Sequence, residues 1–354
     1  MNIVFRVDSS TQIGSGHVMR CITLAGKLRK ENNAEIMFIS RDLPGNLNDV
    51  IQKKGYSLIV LPQCEPQNEI KGYEKWLTVT QQQDANACIN VLQKQCKPDY
   101  LIVDSYAINE EWEKKLRPFV HKIMVIDDLA NRRHDCDVLL DQNFYLNKNF
   151  RYKGLVPSHC QLLLGPKYVL LREEFYEAQK KMRKRDGKIY NILIFYGGSD
   201  LTNETMKALR ALAMLSLPKV LVNVIVGEGN PYKDEVAEFC QQHEFMKYYC
   251  QVDNMAEFMN QADLTLGAGG TTTWERCFLG LPAVVTSIAD NQIQICKDCA
   301  EARYVLYLGS EDFVTEEIIC KFIEKIFFQS EMLLTLKIRS FELGKGDEFV
   351  FLFD

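Results

Sequence analysis

Residues 2–28 read NIVFRVDSSTQIGSGHVMRCITLAGKL, and this stretch decides the fold. Residues 2–8 are rich in apolar residues and have the length of one strand. Gly14 and Gly16 break the strand. Apolar residues then recur at helical spacing through Met19, Cys21, Ile22, Leu24, Ala25 and Leu28. A strand that turns at glycines into a helix is the first part of a βα unit, and the rest of the chain repeats the pattern. Strand patterns at 34–40, 57–61, 100–104, 121–127 and 138–140 alternate with helical patterns at 48–54, 84–95 and 111–120. Residues 143–172 are less regular, and 173–188 are highly charged and helical. A domain boundary is expected there, because few apolar residues remain to pack across it. Beyond it the rhythm restarts, with strands at 189–195, 220–226, 263–266 and 282–286. Helices are expected at 204–215, 273–279, 291–303, 315–329 and 330–342. The expected class is α/β: two doubly wound parallel-sheet (Rossmann-like) domains, 1–176 and 177–354, facing each other across a cleft.

Composition agrees with that size. The 354 residues are 47% hydrophobic and 25% charged, as in ordinary globular domains that bury their own cores. A net charge of −5 argues against a general nucleic-acid binder. The local basic run Lys180, Lys181, Arg183, Lys184, Arg185 and Lys188 reads as a solvated helix end or inter-domain linker, the alternative being a membrane-surface or polyanion patch. Met1 leads straight into a strand pattern rather than a charged-then-apolar leader. No apolar run approaches the ~18–20 residues that span a bilayer. A cytoplasmic protein without stable membrane association is expected. The twelve cysteines are scattered, and Cys296 and Cys299 form a C-x-x-C with no second pair, so reduced structural thiols are expected.

Three glycine-rich turns, 14–20, 197–200 and 267–273, each follow a strand and precede a helix. In open α/β sheets ligands sit at the carboxyl ends of strands, where helix N-termini offer N–H groups suited to phosphate. None of the turns matches the dinucleotide fingerprint or the Walker loop, which disfavours NAD and ATP; no cofactor is expected. His17 stands in the first such turn and can deprotonate a water near neutral pH, or it can serve as a capping or packing side chain. Thr271-Thr272-Thr273 supplies hydroxyls and N–H groups for a diphosphate. Glu275 either accepts the hydroxyls of a ribose or complements the helix dipole. Asp290-Asn291-Gln292 reads equally as a helix cap or a ligand contact. Acids end several strands (Asp8, Asp104, Asp127, Asp128). Adjacent acids on a strand point to opposite faces, so no metal site is expected at Asp127-Asp128.

Taken together, the motifs resemble the family of the UDP-2,4-diacetamido-2,4,6-trideoxy-β-L-altropyranose hydrolase of pseudaminic acid biosynthesis and its spore-coat polysaccharide relatives. The resemblance rests on Arg6-Val7-Asp8, Ile13-Gly14-Ser15-Gly16-His17-Val18-Met19-Arg20-Cys21, Val103-Asp104-Ser105-Tyr106 and Ile126-Asp127-Asp128-Leu129-Ala130. It continues through Asp141-Gln142-Asn143, Leu164-Gly165-Pro166-Lys167-Tyr168, Gly197-Gly198-Ser199-Asp200, residues 267–275 and Ala289-Asp290-Asn291-Gln292, nearly the whole chain. It implies a GT-B-like fold, similar to the bacterial enzyme that adds N-acetylglucosamine to lipid I. It implies metal-independent hydrolysis of a UDP-sugar with inversion, the UDP-sugar being the small-molecule partner and the second domain holding UDP. By the same resemblance His17 is the catalytic base, Tyr106 lies near the sugar, and Glu275, Asn291 and Asn203 hold the nucleotide sugar. The motif positions Asp8, Gly14, Gly16, Arg20, Gly198, Gly269, Gly270, Thr271 and Thr272 complete the expected substrate-binding set. The chain departs from the family at its end: Leu343 precedes Gly344-Lys345-Gly346 where an aspartate is usual, and residues 349–354 are strongly apolar. That bears on the packing of the last helix and on domain closure. The rival reading is a GT-B glycosyltransferase that passes the same sugar to an acceptor; a third is a non-enzymatic sugar-nucleotide sensor.

Overall fold

The computed structural model describes residues 1–64, 71–215, 217 and 219–344; the altered end beyond Gly344 lies outside the described residues. The chain divides into two units. Among the described residues the first comprises Met1–Asn143 and Asn147–Leu170, and the second comprises Phe144–Leu146 and residues 171–344.

Unit 1 holds seven strands: β1 Asn2–Val7, β2 Glu35–Arg41, β3 Ser57–Leu61, β4 Tyr100–Asp104, β5 Lys122–Ile126, β6 Val138–Asp141 and β7 Gln161–Leu164. All pair in parallel, in the order β3-β2-β1-β4-β5-β6-β7. Parallel neighbours need crossovers. They are supplied by α1 Gly16–Asn32, α2 Asn48–Lys53, α3 Gln81–Leu92, α4 Glu110–Leu116 and the short α5 Lys148–Arg151, with a 3-10 turn at Gly72–Leu77. Unit 2 repeats the design with β8 Asn191–Phe195, β9 Leu221–Val226, β10 Met246–Cys250, β11 Leu264–Ala268, β12 Ala283–Ser287 and β13 Leu306–Ser310. Its sheet is parallel in the order β10-β9-β8-β11-β12-β13. Its helices are α6 Glu173–Lys180, α7 Glu204–Ala213, α8 Lys233–Gln241, α9 Met255–Gln261, α10 Thr272–Phe278, α11 Asp290–Glu301, α12 Glu316–Phe327 and α13 Ser330–Gly344. Two parallel-sheet α/β units are what the alternating pattern implies.

Strand periodicity splits the core of unit 1 into two. Ile3, Phe5 and Val7 pack with Val18, Cys21, Leu24 and Leu28 of α1 on one face of the sheet. Val4, Leu101 and Val103 pack with Cys88, Trp112 and Leu116 on the other. Arg6 alternates onto the face of Val4 and is fully buried. It survives there because Asp84 of α3 accepts from its Nε at 3.2 Å and its Nη2 at 2.7 Å, and Asp8 accepts from its Nη1 at 2.6 Å. Arg41 and the Trp112 indole also donate to Asp84, at 2.6 and 3.0 Å.

In each sheet the strand order reverses once, between β1 and β4 in unit 1 and between β8 and β11 in unit 2. Loops leaving the carboxyl ends of those strands diverge and open a crevice. The turn 14–17 and Asp104–Tyr106 leave the first pair, and Gly197-Gly198 and Gly269–Thr271 leave the second.

The structure differs from the sequence reading in four respects, and one further expectation, on the chain end, falls outside the described residues. The irregular stretch 143–172 contains α5 and β7, so β6 is not the last strand of its half; β7 is only four residues long and carries too little alternation to register. The stretch 232–262 supplies α8, β10 and α9, and β13 follows α11. Helix α6 stops at Lys180, well before residue 188. The basic run beyond it is not uniformly solvated. Arg185 is buried and donates to the carbonyls of Met259, Ala262 and Leu279 at 2.8, 2.7 and 2.8 Å. Arg183 binds the carbonyls of Asn260 and Gln261 and the carboxylate of Asp263. A guanidinium carries five donors and can saturate the carbonyls at the end of a helix, so these two residues tie the segment to the end of α9. Finally, the packing of the chain end after α13 rests on residues that are not described, except that Gly344 lies against the Phe278 backbone, where a Cβ would come within 2.5 Å.

Candidate functional site

In unit 1 the site is assembled from three loops. Gly14, at φ +79°, closes the turn after β1 by donating to the Ser10 carbonyl at 2.8 Å, and Gly16 begins α1. A Cβ on either glycine would meet nothing within 4 Å, so the surface in front of them is open. His17 follows, 8% exposed, in the first turn of α1. Its Nδ1 lies 2.6 Å from Oδ1 of Asp104 at the end of β4. Arg20, one helical turn on, grips the same carboxylate with Nε at 2.6 Å and Nη2 at 2.6 Å. Burial works against the charge on Asp104, but Arg20 and His17 hold its carboxyl well below the usual carboxylate range. An ionised Asp104 has no proton to give, so Nδ1 of His17 carries the hydrogen and donates it. In the neutral imidazole the lone pair then belongs to Nε2, which makes no hydrogen bond to a described residue.

A second acid supports the other side. Tyr106 donates its hydroxyl to Asp128 at 2.5 Å, and Asp128 also accepts from Arg20 Nη1 at 3.4 Å and Asn143 Nδ2 at 3.3 Å. Burial and the charge of Asp128 push the Tyr106 phenol well above its ordinary range, so it stays neutral. The Tyr106 ring meets the His17 ring edge-on at 4.7 Å. Trp76 and Tyr73, from the turn Gly72–Leu77, close the group: Trp76 stacks on Tyr106 at 5.5 Å, and Tyr73 lies 4.8 Å from Trp76 and 5.2 Å from Tyr106.

Unit 2 gathers the other expected residues. Gly269 and Gly270 enter α10 against α11: a Cβ on Gly269 would fall 2.1 Å from Cys296 Sγ, and Gly270 faces the Gln292 amide. Thr271 occupies the N-cap position of α10 without a side-chain capping bond, and Thr272 opens the helix. Asn291 stands in the first turn of α11, next to Gln292. Gly198 backs onto Gly227, whose Cβ, had it one, would sit 2.3 Å from the Gly198 carbonyl oxygen. Asp200 caps α7 by accepting from the N–H groups of Glu204 and Thr205 at 3.0 and 2.9 Å. Asn203 precedes α7 with φ +57° and has its Oδ1 buried without a partner. Glu275 is ion-paired with Arg172 at 3.1 Å, and burial pushes its carboxyl above the ordinary range despite that cation.

Thus His17, Arg20, Tyr106 and the glycines Gly14 and Gly16 form one cluster, and Gly269, Gly270, Thr271, Thr272, Asn291 and Glu275 lie on or before the first turns of α10 and α11. Asp8 belongs elsewhere: its Oδ1 is taken by Arg6 and by the Arg41 N–H at 2.7 Å. The sequence reading did not single out Tyr73, Trp76 or Arg172, and it quoted Asp104 and Asp128 as strand-end acids and within the family motifs without assigning either a role in the site. Asp104 carried a usable signal, since it ends a strongly apolar strand, as strands buried on both faces of a parallel sheet are. No group of three His, Cys, Asp or Glu among the described residues is placed to hold a metal ion. No helix among them is long and apolar enough to cross a membrane.

Comparison with known proteins agrees with this architecture. Residues 191–344 match the glycosyltransferase family 28 C-terminal domain. The chain is 31% identical over 266 residues to the UDP-2,4-diacetamido-2,4,6-trideoxy-β-L-altropyranose hydrolase of Campylobacter jejuni, covering 74% of this chain and 83% of that protein. It is 32% identical over 308 residues to an uncharacterised protein of Methanocaldococcus jannaschii, covering 83% of this chain but spanning only 57% of that longer protein. In fold it is similar to MurG of Acinetobacter baumannii, with a TM-score of 0.65 at 13% identity, covering 96% of this chain and 94% of the other. The fold is the GT-B fold.

Proposed function

This chain belongs to the family of the UDP-2,4-diacetamido-2,4,6-trideoxy-β-L-altropyranose hydrolase, and from that premise we propose that it hydrolyses a UDP-activated 2,4-diacetamido-2,4,6-trideoxy sugar at the anomeric carbon. The observation that carries the reading is the His17–Asp104 hydrogen bond at 2.6 Å, which leaves Nε2 of His17 as the base. A water held at Nε2 attacks C1 as the bond from C1 to the UDP oxygen breaks. The bonding electrons leave with the β-phosphate, the water's proton goes to Nε2, and attack opposite the leaving group inverts the anomeric centre. Asp104 stabilises the imidazolium that forms, and Arg20 keeps Asp104 ionised. UDP is a good leaving group that needs charge stabilisation more than protonation. The turn at Gly269–Thr272, with the N–H groups of Gly270, Thr271 and Thr272 at the start of α10 and two hydroxyls, suits the diphosphate, and Glu275 suits the ribose. The chemistry needs no cofactor, and in this reading none of its steps uses a metal.

The test is free UDP release from a panel of UDP-diacetamido sugars with no acceptor present. Release without acceptor supports hydrolysis. Release only when an acceptor sugar is added would move the protein to the transferases.

A further inference from the structure

Nothing above assigns a role to Tyr73 and Trp76. The turn that carries them is anchored by Leu77, which is fully buried, and Trp76 rests partly on the same core. Tyr73 behaves differently. Its ring lies against Trp76 and Tyr106 and stays 40% exposed. The rings of Tyr73, Trp76 and Tyr106 lie within 5.5 Å of one another, and those of Trp76 and Tyr106 come within 6.0 and 4.7 Å of His17. An apolar surface therefore stands directly beside a polar, charged centre made of Asp104, Arg20 and Asp128. A sugar has this same division, with polar hydroxyl edges and C–H faces that pack on aromatic rings. A 2,4,6-trideoxy sugar is the extreme case, since its C6 is a methyl group with no hydroxyl.

We propose that Tyr73 and Trp76, with Tyr106, form an aromatic wall that receives the C–H face of the substrate sugar and reads the missing C6 hydroxyl, which makes them specificity-determining residues. The inference rests on the hydrolase reading above. A C6 methyl on the wall gives up no hydrogen bond. A C6 hydroxyl there loses one to water and gains none. An apolar pocket rejects an added hydroxyl by at most about 100-fold, which bounds the selectivity expected.

The experiment compares wild type with Trp76→Ala, Trp76→Phe and Tyr73→Ala on a UDP-diacetamido-trideoxy sugar and on its 6-hydroxy counterpart. UDP release gives kcat and KM, and a tryptophan fluorescence titration, taken as the difference between wild type and Trp76→Phe, reports on Trp76 itself. Wild type should prefer the deoxy donor by roughly 10- to 100-fold. Trp76→Ala and Tyr73→Ala should raise KM for the deoxy donor about 10-fold and bring the two donors within about 3-fold, while Trp76→Phe keeps most of the preference. The Trp76 signal should saturate with the sugar nucleotide and not respond to UDP alone. Unchanged KM and preference in both alanine variants would overturn the proposal; if Trp76→Ala does not fold, Tyr73→Ala and Trp76→Phe decide it. Should wild type release UDP from neither donor, the hydrolase reading fails by itself. The Trp76 signal then decides the wall: a saturable change with the deoxy donor supports it, and none overturns it.

Discussion

Nδ1 of His17 lies 2.6 Å from Oδ1 of Asp104, across 87 residues of sequence, and this bond selects which imidazole nitrogen is turned away from Asp104. Asp104 is fixed in turn by the two-pronged grip of Arg20, so the ring has one tautomer and one orientation. Asp104→Asn keeps the shape but offers an N–H to Nδ1, which drives the proton to Nε2 and removes the base. The expected result is a fall in kcat of about 10²–10⁴-fold, similar to His17→Ala, with UDP affinity within a few-fold of wild type in both. Single-turnover rates alongside calorimetric titration of UDP check this. A Asp104→Asn enzyme with normal kcat would show that Nε2 is not the acceptor.

Activity should persist in excess EDTA. The carboxylates nearest His17 are already engaged: Asp104 by Arg20 and His17, Asp128 by Tyr106, Arg20 and Asn143. Neither pair of oxygens is left with the open oxygen set that a hard divalent cation needs. Loss of UDP release on chelation, restored by Mg²⁺ or Mn²⁺, would require a metal-dependent mechanism instead.

Glu275→Ala should weaken UDP binding more than it slows the chemical step. A charge-assisted contact to a ribose is worth about 1.5–3 kcal/mol, roughly 10- to 150-fold in affinity. The competing role, pairing with Arg172, is worth little because that guanidinium is 34% exposed, so losing it costs about 0–1 kcal/mol. Titration calorimetry of UDP into the folded variant distinguishes the two. An unchanged dissociation constant with a lowered melting temperature would make Glu275 a structural residue only.

The buried Arg6–Asp84–Arg41 cluster sets an acid limit on unit 1. Burial opposes the charge of Asp84, but Arg6 and Arg41 bring its carboxyl down to about 2. The folded value is depressed below the unfolded one. The stabilisation is therefore complete above pH ~4 and is lost as pH falls through about 2, a loss of about 2–3 kcal/mol. Asp84→Ala should remove this dependence and, by leaving buried Arg41 without its acid and Arg6 with Asp8 alone, should cost about 3–5 kcal/mol at neutral pH. Denaturant melts at pH 7 and pH 3 measure both effects; equal loss at the two values would contradict the assignment.

Arg185 predicts the cost of misreading a charge run. Arg185→Ala should destabilise unit 2 by about 2 kcal/mol or more, since the carbonyls of Met259, Ala262 and Leu279 lose their donor inside the protein. Lys184→Ala, on the neighbouring residue of the run, should change stability by less than about 0.5 kcal/mol. Equal melting temperatures for the two variants would return Arg185 to the solvated surface.

The sequence by itself determined the alternation of strands and helices, the parallel sheets and the glycine turns at strand ends. These follow from the local periods of 2 and 3.6 and from where glycine permits a tight turn, and both are written into consecutive residues. His17 was visible for the same reason, because its neighbours Gly14 and Gly16 mark its position. Short or weakly alternating elements such as β7 escaped, since four residues cannot establish a period. What only the tertiary structure decided were the pairings between loops distant in sequence. Asp104 became the partner of His17 because strand order sets the ends of β1 and β4 side by side, Asp128 that of Tyr106 because β4 and β5 are also neighbours, and Asp84 that of Arg6 because α3 packs on the face of the sheet that carries Val4. Asp8 and Arg185 moved into structural roles, and Tyr73 and Trp76 moved into the site. A side chain's type fixes what it can bond to; which partner comes within reach depends on how the sheet is threaded, and no local pattern encodes that.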